Sequence, residues 1–431
     1  MKRKGTALLA AAVITLTAVP ATAEAAPRDP VRALTQAAHP LRTTEPGGST
    51  ADLRALGAMI GDAPVAGLGE ATHGSHEFFA MKERLFRQLV EQRGFTTFAL
   101  ELSWSAGLRI DEYLQTGAGD ARTILKQELR DSPWDREEFV HLVEWMRDYN
   151  RRHPGRTVHF LGDDLGAPTL SDAFFGKVTA YVRENAPAQA EQLDELYTGL
   201  RPIDDIVAYL GKPLAERRRL ADRARQAFDL VDGVDGTNAE WAEQNARSIA
   251  KTTEFLTVDL TDPAALAAME RFRDEEMARN VLWWRQHTGQ KVLVSAHNDH
   301  VGYAAGNPAL YPKTQGSFLR DRLGKDYVAI AMTFDRGAFL SKDTAIGGDW
   351  KRFSVPPAAP GSNEHTLDRV PYRDYYFDAR TAPAAARAWL GVARPTWNIG
   401  TQFPAEPEGI ALARSFDVVV HLHEVRAAKA A

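Results

Sequence analysis

Four polar clusters, each closing an apolar run, carry the residue types of acid/base chemistry. Gly69-Glu70-Ala71-Thr72-His73-Gly74-Ser75-His76 follows the run 63–68, and Glu101 lies at the end of the run 95–102. Asp163 and Asp164 follow the run 157–161, and His297-Asn298-Asp299-His300 follows 291–296. An imidazole exchanges a proton near neutral pH, and a carboxylate beside it sets its orientation and tautomer. Buried without partners, such groups are costly, so they must pair with one another or with a ligand. Taken singly, each has a plainer role. A histidine after a strand is commonly a hydrogen-bonded structural residue, Glu101 a capping or ion-pairing carboxylate, and Asp163 and Asp164 a helix cap. Four such ends in one chain point to a shared crevice. His76, next to a Ser75 in N-cap position, reads as structural. His421 and His423, alternating on the last strand, read as a solvated face.

Bringing those clusters together requires strands that end in one place. The runs 63–68, 95–102, 157–161, 291–296, 327–333 and 416–420 are nearly continuous rather than alternating, the pattern of strands covered on both faces. In open sheets of this kind ligands bind beyond the carboxyl ends of the strands. Between the first two runs, 77–92 reads as a helix with Phe78, Met81, Leu85, Phe86 and Leu89 on one side and Lys82, Glu83, Arg84 and Arg87 on the polar side. Gly94 stands at its C-cap, and the order strand–helix–strand over 63–102 is a βαβ signal. A second helix is expected over 135–151. Residues 170–288 are rich in Ala, Arg, Glu and Leu without a strand pattern and read as a helical insertion. The predicted architecture is α/β: a mixed, mostly parallel central sheet flanked by helices, the insertion forming one side of a deep cleft. Residues 355–365 read as a loop, and 361–377 and 391–408 carry no assignable period.

Composition narrows the chemistry. The 431 residues include 52 basic and 57 acidic side chains, a net charge of -5, with 44% apolar and 25% charged residues. This is ordinary globular composition, and it argues against a general surface for nucleic acid or anionic membrane. There is no cysteine, which excludes disulfides, thiolate nucleophiles, iron–sulfur clusters and cysteine-ligated zinc. Lys2, Arg3 and Lys4, the apolar run 7–19 and Ala21-Thr22-Ala23-Glu24-Ala25-Ala26 have the form of a signal peptide over 1–26. The run is too short for a confident membrane span. The mature chain is therefore expected to be secreted, with 27–50 a loose leader containing one short helix and 51–431 the functional domain. Sequences of the form G-x-S-x-G, H-E-x-x-H and Walker A are absent. Gly67-Leu68-Gly69 opens like a dinucleotide fingerprint, but Thr72 stands where its third glycine should be. Ser248-Ile249-Ala250-Lys251 matches S-x-x-K without the elements that accompany it in β-lactamases.

Read together, Gly69-Glu70-Ala71-Thr72-His73-Gly74, Glu77-Phe78-Phe79, Phe98-Ala99-Leu100-Glu101 and Ala296-His297-Asn298-Asp299-His300-Val301 resemble the erythromycin esterase family. Arg273-Asp274-Glu275-Glu276-Met277-Ala278-Arg279-Asn280 is similar to that family's arginine-bearing helix, and 324–336 to the strand that follows. The resemblance runs from about residue 50 to the end and is weakest in the tail. It implies a hydrolase that needs no cofactor, with His73 as general base, Glu70 and Glu101 as its carboxylates, and His297 and His300 completing the site. The resemblance also implicates Lys82, at a position where macrolide-hydrolysing members carry Arg. Asp299 stands where a small residue is common, and Gly162-Asp163-Asp164 where Gly-Phe-Asp is common.

The reaction expected is attack of a His73-activated water on an ester or lactone carbonyl of a small molecule, a macrolide being one such lactone. Glu70 or Glu101 would steady the imidazolium, and His297, His300 or Lys82 the oxyanion. Arg273 and Lys82 are expected substrate contacts, and Trp104 reads equally as the lining of a pocket for a bulky substrate or as plain core. Two alternatives are a divalent-metal hydrolase or peptidase resembling the TIKI/TraB group, and an exported binding protein without turnover.

Overall fold

The apolar runs become adjacent strands because each is covered on both faces. The computed structural model describes residues 29–166, 170–344 and 348–431; the expected signal peptide lies outside them. The strands are β1 (His39–Pro40), β2 (Val65–Leu68), β3 (Phe95–Ser103), β4 (His159–Asp164), β5 (Lys291–Ser295), β6 (Tyr327–Ser341), β7 (Lys351–Val355), β8 (Asp374–Asp378), β9 (Arg394–Thr396), β10 (Glu408–Ile410) and β11 (Val418–Val425). Among the described residues, nine form one sheet in the order β1-β8-β11-β6-β2-β5-β3-β4, with β7 paired to β6; β9 and β10 pair apart from it. The six strands expected from the sequence are parallel neighbours across its centre. The strands sequence gave no sign of, β1, β7 and β8, pair antiparallel. Along the parallel strands alternate residues enter two cores. Val65, Ala99, Val292, Val294 and Ala331 face one, and Ala66, Leu68, Phe98, Leu293 and Ile330 the other.

The order of strands decides which polar clusters meet. The chain runs from β2 to β3 to β4, makes its long helical excursion, and returns with β5 between β2 and β3. Consequently the carboxyl ends of β2, β5, β3 and β4 stand side by side, and these are the four ends that carry His73, His297, Glu101 and Asp164.

Helix α1 (His76–Arg93) follows β2 and ends at Gly94, whose left-handed φ of 74° closes the cap onto the Leu89 carbonyl. Its expected polar side is not exposed. Lys82, Glu83 and Arg84 are all buried: Lys82 turns to Glu70 and the end of β5, residues 43–52 cover Arg84, and His141 of the helix Glu137–Arg152 meets Glu83. Each charge has a partner: Arg84 binds Asp52 at 2.7 Å and the carbonyls of Thr43 and Ser49, and Glu83 binds Arg87 and His141. The region read as a loose leader is thus tied down; its short helix is Pro30–Ala37. Ser75 occupies the N-cap position, but its hydroxyl bonds Thr72 Oγ1 at 2.6 Å rather than capping the helix.

The excursion between β4 and β5 is helical, ending in α2 (Pro263–Thr288). Trp104 packs beneath it with Trp241, Trp283 and Trp284, its indole donating to Asn245 Oδ1 at 2.9 Å. The ring has no exposed surface. The expected lining of a pocket by Trp104 is therefore corrected to a core role, since an indole is stabilised more by apolar enclosure than by a wet wall. His421 is corrected likewise. It is fully buried against Thr333 and Tyr375 rather than solvated, while His423 binds Asp368 at 2.7 Å.

The loop after β2 is stitched in place by backbone. Gly74 accepts from Leu340 N at 3.0 Å and Ala428 N at 2.9 Å. A Cβ on Gly74 would sit 2.0 Å from the Leu340 carbonyl oxygen. Gly74→Ala is expected to lower the unfolding free energy by about 1–3 kcal/mol. Urea unfolding measures it, and an unshifted midpoint would show that β6 yields without cost.

Candidate functional site

Glu70 organises the site from its base. It is fully buried, and one carboxylate oxygen takes His73 Nδ1 at 2.6 Å while the other meets the Lys82 ammonium. Lys82 also donates to the Ala296 carbonyl at 3.3 Å, which ties α1 to the end of β5. Burial pushes the Lys82 ammonium down, against the pull of Glu70 and Glu101. With 1% of its side chain exposed, Lys82 serves Glu70 rather than reaching a substrate.

With Nδ1–H held by Glu70, His73 is left with Nε2 as its acceptor. That nitrogen is 3.9 Å from Glu101 Oε1, a gap suited to one bridging water. Glu101 owes its aim to a bulge. Leu100 pairs with Gly162 and Ser103 with Asp164, so Glu101 and Leu102 together oppose Asp163. One Glu101 oxygen accepts from His297 N at 2.9 Å; the other lies 3.0 Å from Arg273 and 3.4 Å from His300 Nε2. Burial would raise Glu101, but His300, His73 and Arg273 outweigh it and hold the carboxylate well below its usual range.

The two histidines after β5 differ in charge. His300, in the short helix α3 (Asn298–Val301), is clamped between Asp274 Oδ1 at 2.8 Å and Glu101. Burial opposes its charge, yet Asp274 and Glu101 prevail and keep the imidazolium well above the ordinary histidine range. Burial and then the neighbouring His73 push His297 well below that range, so it is neutral. Its Nδ1 caps α3 by accepting from Asp299 N at 3.3 Å. The proton of the neutral ring is therefore on Nε2, a buried donor with no partner among the described residues. The His73 and His297 rings are 5.2 Å apart.

Arg273 is fully engaged by anions: Asp164 at 2.6 and 2.7 Å, Glu101, and Glu270 at 3.3 Å. It anchors carboxylates in place instead of presenting a free guanidinium. Asp164 thereby has a partner other than the helix cap considered for it. Asp163 is buried, accepts from Gln315 Nε2 at 2.7 Å, and is pushed well above the usual carboxylate range by burial, only partly relieved by Gln315. His76 lies outside the cluster, bridging Glu138 at 2.6 Å and Glu45 at 3.0 Å. Among the described residues no group of three or more His, Asp or Glu side chains is disposed to hold a metal ion.

The structure thus assembles Glu70, His73, Lys82, Glu101, Arg273, His297 and His300, and leaves out Trp104. It adds three features sequence reasoning missed. Asp274 on α2 holds His300, Trp134 edges onto His73 with ring centroids 5.7 Å apart, and Gly400 lies against the His73 and His297 rings. The Gly400 carbonyl accepts from His73 N at 3.2 Å, and a Cβ at Gly400 would lie 3.8 Å from His297 Nε2. Asp274 follows Arg273 directly, but in a run of charges it carries the signal of a solvated helix face.

Residues 90–425 match the family model described as erythromycin esterase, a span that begins downstream of Glu70 and His73. A solved structure described as a succinoglycan biosynthesis protein is 31% identical and covers 94% of this chain and 99% of its own, with a TM-score of 0.84. Erythromycin esterase type II of Escherichia coli is 24% identical over 76% of this chain and 83% of its own length. A mutant of the erythromycin esterase EreC, solved in an open conformation, shares the fold at a TM-score of 0.68 and 18% identity over 89% of this chain and 96% of its own.

Proposed function

This chain belongs to the erythromycin esterase family of hydrolases, and from that premise we propose that it hydrolyses an ester or lactone through a water activated by His73. One observation carries the reading. Glu70 occupies His73 Nδ1 and leaves Nε2 as a base facing the Glu101 side of the cluster. Water attacks the carbonyl carbon, its proton passes to His73 Nε2, and Glu70 steadies the resulting imidazolium as the acid of a triad does. His297 Nε2–H meets the developing oxyanion. On collapse of the tetrahedral intermediate, the imidazolium returns its proton to the leaving alcohol. Glu101, held ionised, fixes His297 through its backbone N–H. No covalent acyl-enzyme is required.

The substrate is a small organic ester or lactone, macrolactones included, and the site of action is outside the cell, in keeping with the pattern over 1–26. Incubating the purified protein with activated esters and macrolactones, with product mass as readout, tests the reading. A gain of one water mass with opening of the ester or ring is expected, in the presence of chelator as in its absence. Inertness towards the whole panel would remove the reading, and loss of turnover on chelation would favour a metal-dependent hydrolase.

His297→Leu, which carries no donor, is expected to lower kcat by about 10²–10³-fold with little change in KM, the loss typical of one oxyanion donor. A change confined to KM would assign His297 to ground-state binding.

A further inference from the structure

Beside the histidines lies a pair of carboxyls that the mechanism does not use. Asp299, in α3, is 5% exposed, and Asn398 is 7% exposed. Asn398 Nδ2 donates to Glu408 Oε2 at 2.7 Å and also bonds Asp299. Gly306 locates both acids: its N–H donates to Asp299 Oδ1 at 2.9 Å, and a Cβ there would lie 2.1 Å from Glu408 Oε2. No lysine or arginine among the described residues is ion-paired with either acid. The groups facing Asp299 are His300 in α3, Asp274 on α2 and Tyr311 in the segment after α3; Glu408 faces Asp299. Two carboxylates so placed repel, whereas a carboxyl–carboxylate pair attracts.

The residues they hold touch the site. Asn398 precedes Ile399, whose N–H donates to the Ala71 carbonyl at 2.7 Å, and Gly400, whose carbonyl takes His73 N. We propose that Asp299 and Glu408 share one proton and, through Asn398, act as positioning residues that fix Ile399 and Gly400 against His73 and His297. Losing that proton places two like charges beneath the Asn398 turn, frees Gly400, and loosens the orientation of His73. The titration of the pair supports this geometry. Burial and then Asp299 push Glu408 up to about 7, and burial raises Asp299. A carboxyl raised in the folded state binds a proton that the unfolded chain has released. Stability therefore falls as pH climbs from the usual carboxylate range through about 7.

The inference rests on the hydrolytic reading only in its activity arm, so the experiment has two. Thermal midpoints of the full chain and of E408Q are compared from about pH 5 to about pH 9. The two should coincide at the acid end, with E408Q pulling ahead by several degrees as pH rises. Parallel curves would overturn the proposal whatever the substrate. In the second arm kcat is followed over the same range. The wild type should lose about tenfold or more above neutrality while E408Q keeps its rate, and E408A, which cannot bond Asn398, should be slow throughout. An alkaline limb shared by wild type and E408Q would overturn it, even in a protein that hydrolyses esters as proposed.

Discussion

On the proposed hydrolysis, His73→Ala is expected to leave a folded protein whose kcat/KM is down by about 10³-fold or more. The size follows from what is lost. No other group in the cluster combines a nitrogen lone pair with a saturated partner on the opposite side of the ring, because His300 is held charged by Asp274 and Glu101 and His297 presents a donor. General-base catalysis alone contributes about 10²–10⁴-fold. The Glu70–Lys82 pair survives the substitution, so the fold does not lose its buried charge balance. Circular dichroism and urea unfolding should be near wild type. A folded His73→Ala protein with full activity would end the general-base assignment.

Glu70→Gln should damage both chemistry and stability. The amide no longer steadies an imidazolium, and kcat is expected to fall by about 10²–10⁴-fold. It also leaves the Lys82 ammonium without its anion in a site with 1% of the lysine exposed. Breaking a buried pair on one side costs about 3–5 kcal/mol. The unpaired lysine is driven neutral, a depressed basic group, so the variant should regain stability as pH rises towards the ordinary lysine range. Replacing both partners, E70Q with K82M, should recover most of the stability and none of the activity. If the double variant is as unstable as the single one, the pair is not what holds the base of the site.

The parts of this arrangement that the sequence revealed share a physical cause. Strands enclosed on both faces must be apolar throughout, so 63–68 and 291–296 stand out without help from context. The polar residues ending them stand out by contrast. Their convergence depended on strand order, which follows from β5 returning between β2 and β3. What stayed hidden is mostly charge that is buried with a distant partner. Arg84 meets Asp52, and Asp274 meets His300; locally each looks like a solvated position. The tail was illegible for another reason. Asn398, Ile399 and Gly400 are held by single backbone bonds and one amide, which impose no period on the sequence. His421 erred in the opposite direction and Trp104 stayed undecided between pocket and core, because nothing in their neighbours distinguishes a packed ring from one at a surface.

The place of β5 governs how the molecule comes into being. Both sheet partners of β2, β5 and β6, lie more than 200 residues further along the polypeptide. A nascent chain that has not yet reached residue 291 therefore holds β2 with neither neighbour made. A fragment ending before that point lacks both sheet neighbours of β2 together with His297 and His300, so it cannot bring the polar cluster together.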